Sequence, residues 1–300
     1  MVMLPLVAAC APAPEADVSE PGWSAGPLEP QFRFAVLADP HITSADGDRP
    51  ERLAAAVDWI NAAAASQDLR FVLVLGDIAW SDGFETARDA LGQLEIPYVP
   101  INGDNEVQFG ADGTFDEVFS DQYAALSGTF EGWEMGATSV HDLDADRDTW
   151  FHNFAFDYEG VRFVGLDWAS RHLGGPESEL GVLHDYPDGT MPFLRSQLPA
   201  NAAARPLESV VLFSHIPMHL GGFDLAGTAA ITDEVGPVGG AVWANLAGHY
   251  HFDGEETVEA GGYDVIVSDA VWDDAVEVRV VSAAANEETF SWRTEIVVVE

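Results

Sequence analysis

Short apolar runs that break off at Gly, Asp, Asn or Ser restrict this chain to few architectures. Phe34–Ala38, Phe71–Leu75, Tyr98–Ile101, Val161–Leu166, Val210–Phe213 and Val242–Ala247 are each β-rich and bounded by polar residues or glycine. Runs this short, apolar at consecutive positions, predict strands buried on both faces. Between the first two, Pro50 and Glu51 open a segment with Leu53, Val57, Ile60 and Ala64 at helical spacing, which predicts an amphipathic crossover helix. Strand, helix, strand in that order predicts an α/β sheet with parallel pairs. After Gly262, Tyr263–Ser268, Val276–Val281 and Thr294–Val299 lie closely enough together to predict a terminal antiparallel stretch. The insert from Val107 to Thr149 is aromatic and acidic with weak periodicity. No repeat or interior linker interrupts the chain, so residues 31–300 are expected to form one domain behind a tether of residues 1–30.

The residues just past the strand ends carry the chemistry. The first run ends in Asp39-Pro40-His41, the second in Gly76-Asp77, and the third leads into Asn102-Gly103-Asp104-Asn105-Glu106. Val210–Phe213 ends in Ser214-His215, and Val242–Ala247 in Gly248-His249-Tyr250-His251. The carboxyl ends of strands in an α/β sheet line the crevice where ligands bind, so five strands deliver Asp and His to one rim. Asp39 with His41, and His249 with His251, are two residues apart and in extended chain point the same way. Glycines 76, 103 and 248 are expected to let the backbone turn sharply beside them. Carboxylate and imidazole donors suit Mn, Fe or Zn. Seven such side chains are too many for one ion and enough for two that share a carboxylate.

These blocks resemble those of the calcineurin-like metallophosphoesterases, which run D-x-H, G-D, G-N-H-[DE], an isolated His and G-H-x-H. The resemblance spans about residues 32–280, including Phe163–Asp167. It implies a four-layer α/β/β/α sandwich of two mixed sheets flanked by helices. It also implies a pair of metal ions, divalent or mixed-valence. Carried over, Asp39, His41, Asp77 and His251 hold one ion, while Asp77 as bridge, Asp104, His215 and His249 hold the other. The expected reaction is hydrolysis of a small phosphomonoester or phosphodiester by a metal-bridging hydroxide. The third block departs from the pattern. Asp104 stands where the family has an amide ligand, which takes the charge of the ligand set with two divalent ions to about +1 rather than +2. Asn105 replaces the His used near the leaving group and cannot titrate; His172 and His219 are the candidates to substitute. The alternative expectation is a surface lipoprotein that keeps its metals with little or no catalysis.

Charge narrows the partners. Against 51 acids stand 12 basic residues, all of them Arg, for a net charge of −39. Such a field repels nucleic acid and anionic membrane, while 47% hydrophobic residues exclude a solvated disordered polyanion. With one Cys, no intramolecular disulfide forms. Val7-Ala8-Ala9-Cys10 resembles a bacterial lipoprotein signal, so Cys10 is expected to be lipidated and the protein to work outside the cytoplasm, anchored if acylated and secreted or periplasmic if not. Gly22-Trp23-Ser24-Ala25-Gly26 matches a nucleophile elbow in letters only, since no strand precedes it. Asp142, Asp144, Asp146 and Asp148 alternate as in a calcium loop, but Arg147 and Asn153 stand where Gly and Glu are needed, which predicts a solvated acidic loop. Trp133, Trp150, Phe151 and Trp168 are expected in the core, with a cleft role for one or two at most.

Overall fold

The computed structural model describes residues 31–44, 47–172, 179–199, 209–285 and 290–299; Cys10 and the Gly22–Gly26 segment lie outside them. In chain order the first elements are β1 (Phe32–Leu37), α1 (Arg49–Gln67), β2 (Leu69–Leu75), α2 (Phe84–Leu91), β3 (Tyr98–Ile101), α3 (Asp104–Val107) and α4 (Asp112–Ser127). Then come β4 (Glu131–Met135), β5 (Ser139–Asp142), β6 (Arg147–Trp150), β7 (Phe154–Tyr158), β8 (Val161–Leu166) and α5 (Thr190–Gln197). The last are β9 (Val210–Ser214), α6 (Leu225–Val235), β10 (Val242–Ala247), β11 (Gly254–Val258), β12 (Tyr263–Val267), β13 (Val276–Ala285) and β14 (Phe290–Val299).

They form the four-layer sandwich. One sheet has the order β14-β13-β1-β2-β3, the other β11-β12-β10-β9-β8-β7-β4, and β5 with β6 makes a separate two-stranded sheet. Pairs joined by helical crossovers are parallel, as for β1 with β2 and β9 with β10. Both sheets also contain antiparallel pairs, β1 with β13 and β7 with β8 among them. Aromatic rings fill the space between the sheets. Phe34 stacks on Phe71 at 5.0 Å, and both meet Phe163 of the facing sheet edge-on at 5.4 and 5.2 Å. Such pairs add about 0.5–1.5 kcal/mol each beyond the area they bury. Outside the first sheet, α1 buries Leu53, Val57 and Ile60. It starts with Pro in its first turn and stops at Asp68, whose left-handed backbone (φ 59°) donates its N–H to Ala64. Outside the second sheet, Met191 and Leu194 of α5 join Ile231 and Val235 of α6 in a separate core.

Two expectations are corrected, and the weakly periodic insert takes definite shape. The insert has defined elements: α4 buries Phe115, Phe119, Tyr123 and Leu126, an i, i+4, i+8, i+11 stripe whose opposite face is acidic. Tyr263–Val267 is not part of a terminal antiparallel stretch; it pairs parallel to β10 and carries β11 antiparallel. In the acidic loop, Asp144, Asp146 and Asp148 are exposed, but Asp142 is fully buried. Phe151 and Trp168 are core residues, and Trp133 stacks on Phe154 at 5.3 Å. Among the described residues no helix is long and apolar enough to cross a membrane.

Candidate metal centre

All seven side chains predicted to ligate metal meet at the carboxyl ends of β1, β2, β3, β9 and β10, where the two sheets abut. The loops after β1 and β2 run side by side: the N–H of Asp39 donates to the Gly76 carbonyl at 3.3 Å and that of His41 to Asp77 at 2.9 Å. Asp39 also joins the sheets, since its Oδ2 accepts the backbone N–H of His249 at 3.0 Å. The side chains do not converge through extended chain. Asp39, His41, Asp77, His249 and His251 all have positive φ, between 44° and 76°, so each sits in left-handed rather than extended backbone. Of the three glycines, only Gly76 has positive φ, at 77°. At Gly103 the constraint is space: a Cβ there would lie 2.3 Å from Asp77 Oδ1 and 2.5 Å from the Asp77 backbone N. Gly248 likewise leaves room for Asp39 Oδ2.

The donors form two groups. Nε2 of His41 and Nε2 of His251 approach to 3.2 Å, and both face Asp39 Oδ1, at 3.6 and 3.4 Å. Across the site, His215 Nε2 and His249 Nδ1 approach to 3.2 Å and face Asp104 Oδ1 at 3.0 and 3.2 Å. Asp77 lies between the groups. Its Oδ2 is 3.3 Å from His41 Nε2, and its Oδ1 is 3.3 Å from His215 Nε2.

Three observations show that these residues fit cations. Asp39 Oδ1 is buried and accepts no hydrogen bond, although two imidazole nitrogens point at it. His215 Nδ1 lies 2.9 Å from the Leu75 carbonyl, which fixes the ring proton there and leaves the Nε2 lone pair facing the carboxylates, as metal-ligating imidazoles require. Finally, Asp39, Asp77 and Asp104 are buried, and among the described residues their ion-pair partners are imidazoles alone. Unmatched carboxylates at this depth are costly. Burial and the neighbouring Asp104 push the Asp77 carboxyl well above its ordinary range. Burial opposes ionisation of Asp39 as well, but His215, His251 and His41 outweigh it and hold that group low. His215 is raised well above the imidazole range because Asp77, Asp39 and Asp104 outweigh its burial. Cations bound among these groups would offset the charge of the three buried carboxylates.

The surroundings contain residues to which the sequence reading assigned no role. Glu106 is fully buried and accepts the N–H groups of Ala79 at 2.9 Å and Gly103 at 2.6 Å; it ties the loop after β3 to that after β2, and burial lifts its pKa to about 7. Asn102 donates to Asp167 at 3.0 Å, and Asp167 pairs with Arg171, both wholly buried. Trp272 packs against His41 and His251, with ring centroids 5.6 and 5.5 Å away. Arg49 lies over that indole at 4.4 Å and donates to the His41 carbonyl at 2.9 Å, so one of the twelve arginines stands beside the centre.

Asn105 belongs to the centre by position. Its backbone N–H donates to Asp77 Oδ1 at 2.9 Å, and its side-chain amide meets His41 Nδ1 at 3.1 Å. The amide nitrogen is the atom that faces Nδ1, so this contact fixes the orientation of the His41 ring. His219 bonds the Tyr263 hydroxyl at 3.0 Å. His172 hydrogen-bonds Ser170 through its backbone and lies near Asp144.

The comparisons with known proteins bear on the fold and the family. No curated protein matches the sequence. Among solved structures, an enzyme described as a 5'-nucleotidase from Staphylococcus aureus, solved with α-ketoglutarate, superposes with a TM-score of 0.56 at 17% identity, covering 89% of this chain and 54% of its own. The sulfate thiohydrolase SoxB from Thermus thermophilus, solved with glycerol, gives 0.50 at 14% identity, covering 91% of this chain and 57% of its own. The chain thus spans little more than half the length of these two proteins, and the likeness is one of fold. The family model of calcineurin-like phosphoesterases matches residues 32–268, and the chain belongs to that family.

Proposed function

We propose that this protein is a metal-dependent hydrolase of small phosphoric esters that works with two cations at the Asp77 centre. The observation that carries this reading is the pair of converging donor groups with one carboxylate spanning them. One cation would be held by Asp39, His41, Asp77 and His251, the other by Asp77, Asp104, His215 and His249. Bound there, ions of the Mn, Fe or Zn class supply Lewis-acid charge that makes water acidic enough to attack phosphorus near neutral pH and offsets charge on the phosphoryl oxygens.

The chain's own residues prepare that chemistry. Leu75 holds His215 in one tautomer, and Asn105 orients His41. Glu106 keeps the loops after β2 and β3 in register. Arg49 adds positive charge beside a centre set in a negative protein. None of these groups is a titrating acid placed where the family pattern has its His, because Asn105 occupies that position. A missing general acid costs about 10²–10⁴ in rate when the leaving group is poor. The metal-loaded enzyme is therefore expected to turn over nitrophenyl esters and to hydrolyse alkyl esters slower by about that factor, with Asn105→His narrowing the gap.

Chelator-stripped protein, assayed on monoesters and diesters before and after manganese is restored, tests the reading. Activity that appears only with metal supports it. Metal-loaded protein that turns over no ester, with or without Asn105→His, favours the binding protein instead.

A further inference from the structure

Apart from the Asp77 centre, the fold buries a second convergence of ligand atoms. His184 is wholly buried, and its Nε2 lies 3.1 Å from the carbonyl oxygen of Ala169. That nitrogen therefore carries the proton and donates, which leaves the Nδ1 lone pair exposed to its neighbours. Nδ1 faces Asp142 Oδ2 at 3.4 Å and Asp144 Oδ2 at 3.7 Å. Asp142 is itself wholly buried. Its Oδ1 accepts the backbone N–H groups of Asp144 and Ala145 at 2.7 and 3.0 Å, whereas its Oδ2 accepts no hydrogen bond.

Among the described residues no hydrogen-bond donor satisfies both Nδ1 of His184 and Oδ2 of Asp142. The Tyr186 hydroxyl lies 3.2 Å from Nδ1, but one hydroxyl proton cannot serve both Nδ1 and Asp142 Oδ2. Whichever way it turns, a buried lone pair is left. Arg171 spends its N–H groups on Asp167, Thr149 and the carbonyls of Trp150 and Ala169.

We propose that Asp142, Asp144 and His184 hold a divalent transition-metal ion of the zinc class, separate from the pair of cations around Asp77. Zinc bonds to nitrogen and oxygen of about 2.0–2.2 Å place tetrahedral ligands roughly 3.3–3.5 Å apart, close to the two separations measured. One imidazole with two carboxylates suits zinc or manganese better than calcium, which takes oxygen donors. The Ala169 carbonyl supplies the outer hydrogen bond that a ligating imidazole needs. The ion's role is structural. β5 and β6 form a two-stranded sheet apart from both large ones, and such a pair is marginal alone. An ion at Asp142 fastens that hairpin to the segment bearing His184.

Zinc content tests this. The full chain is stripped with chelator, dialysed against zinc chloride and freed of excess. Wild type is expected to retain one more zinc per chain than Asp144→Asn, a change at a half-exposed carboxylate that leaves the core intact, and one more than His184→Gln. The difference of one is read whatever the Asp77 centre holds, so each assignment can fail without the other. Crystals of zinc-loaded wild type are expected to show an anomalous peak between Asp142 and His184. Equal zinc in all three proteins, with no anomalous peak at His184, overturns the proposal.

Discussion

Asp77→Asn is expected to leave a folded protein that holds neither cation tightly and hydrolyses phosphoesters at least about 10³-fold more slowly, the loss incurred when several kcal/mol of metal-borne charge stabilisation is removed. The size reflects its place. Each Asp77 oxygen faces a different donor group, at 3.3 Å in both cases, so one substitution weakens both. An amide keeps one oxygen, which can still accept the Asn105 N–H, but it turns an N–H₂ toward one group and carries no charge. The backbone is not the problem: Asp77 has φ 44°, a conformation that Asn tolerates better than most residues. A change at His251, which belongs to one group alone, is expected to cost less. Circular dichroism, elemental analysis and kcat/KM of the same preparation separate lost ions from a lost fold. Full activity with the usual metal content would show that Asp77 does not join the groups.

The largest effect on stability is expected at Arg171. Its guanidinium and the Asp167 carboxylate are both inaccessible, paired at 2.6 Å, and the guanidinium also lies 4.1 Å over the Phe151 ring. Arg171→Met keeps much of the apolar bulk but strands the charge of Asp167. Breaking a buried pair in this way costs about 3–5 kcal/mol, or roughly 6–20 °C in Tm for a domain of this size. Burial works against Asp167 ionisation, and Arg171 outweighs it, so the carboxyl titrates below its ordinary range. A group depressed in the folded state contributes stability above its unfolded pKa, which is lost as pH falls through the folded one. The Tm gap between wild type and Arg171→Met is therefore expected to be wide at neutral pH and to close in acid. A gap of the same width at every pH would mean that packing, not charge, is what Arg171 supplies. Asp167 also holds Asn102, next to Gly103 and Asp104, so the same substitution is expected to loosen one cation group.

The strands and the meeting of the seven side chains were legible because each leaves a local mark: a short apolar run, then an Asp or His within a few residues of its end. Val242–Ala247 and Val161–Leu166 even keep their predicted limits. How the donors converge was not legible. The left-handed turns at Asp39 and His249 come with hydrogen bonds to Gly76 and to Asp39 itself, far away in sequence. The buried state of Asp142 depends on His184 and Tyr186, and sequence spacing showed only alternating acids. Trp272 and Arg49 reach the centre from elements with no metal-binding pattern. The stripe of α4 was present in Phe115, Phe119, Tyr123 and Leu126, obscured by Asp116, Glu117 and Asp121 between them.

Anomalous diffraction from manganese-loaded crystals addresses the Asp77 centre most directly. Two peaks are expected on either side of Asp77, one among Asp39, His41 and His251 and the other among Asp104, His215 and His249. A single peak beside one group, or manganese bound with no contact to Asp77, would contradict the shared carboxylate on which the proposed chemistry rests.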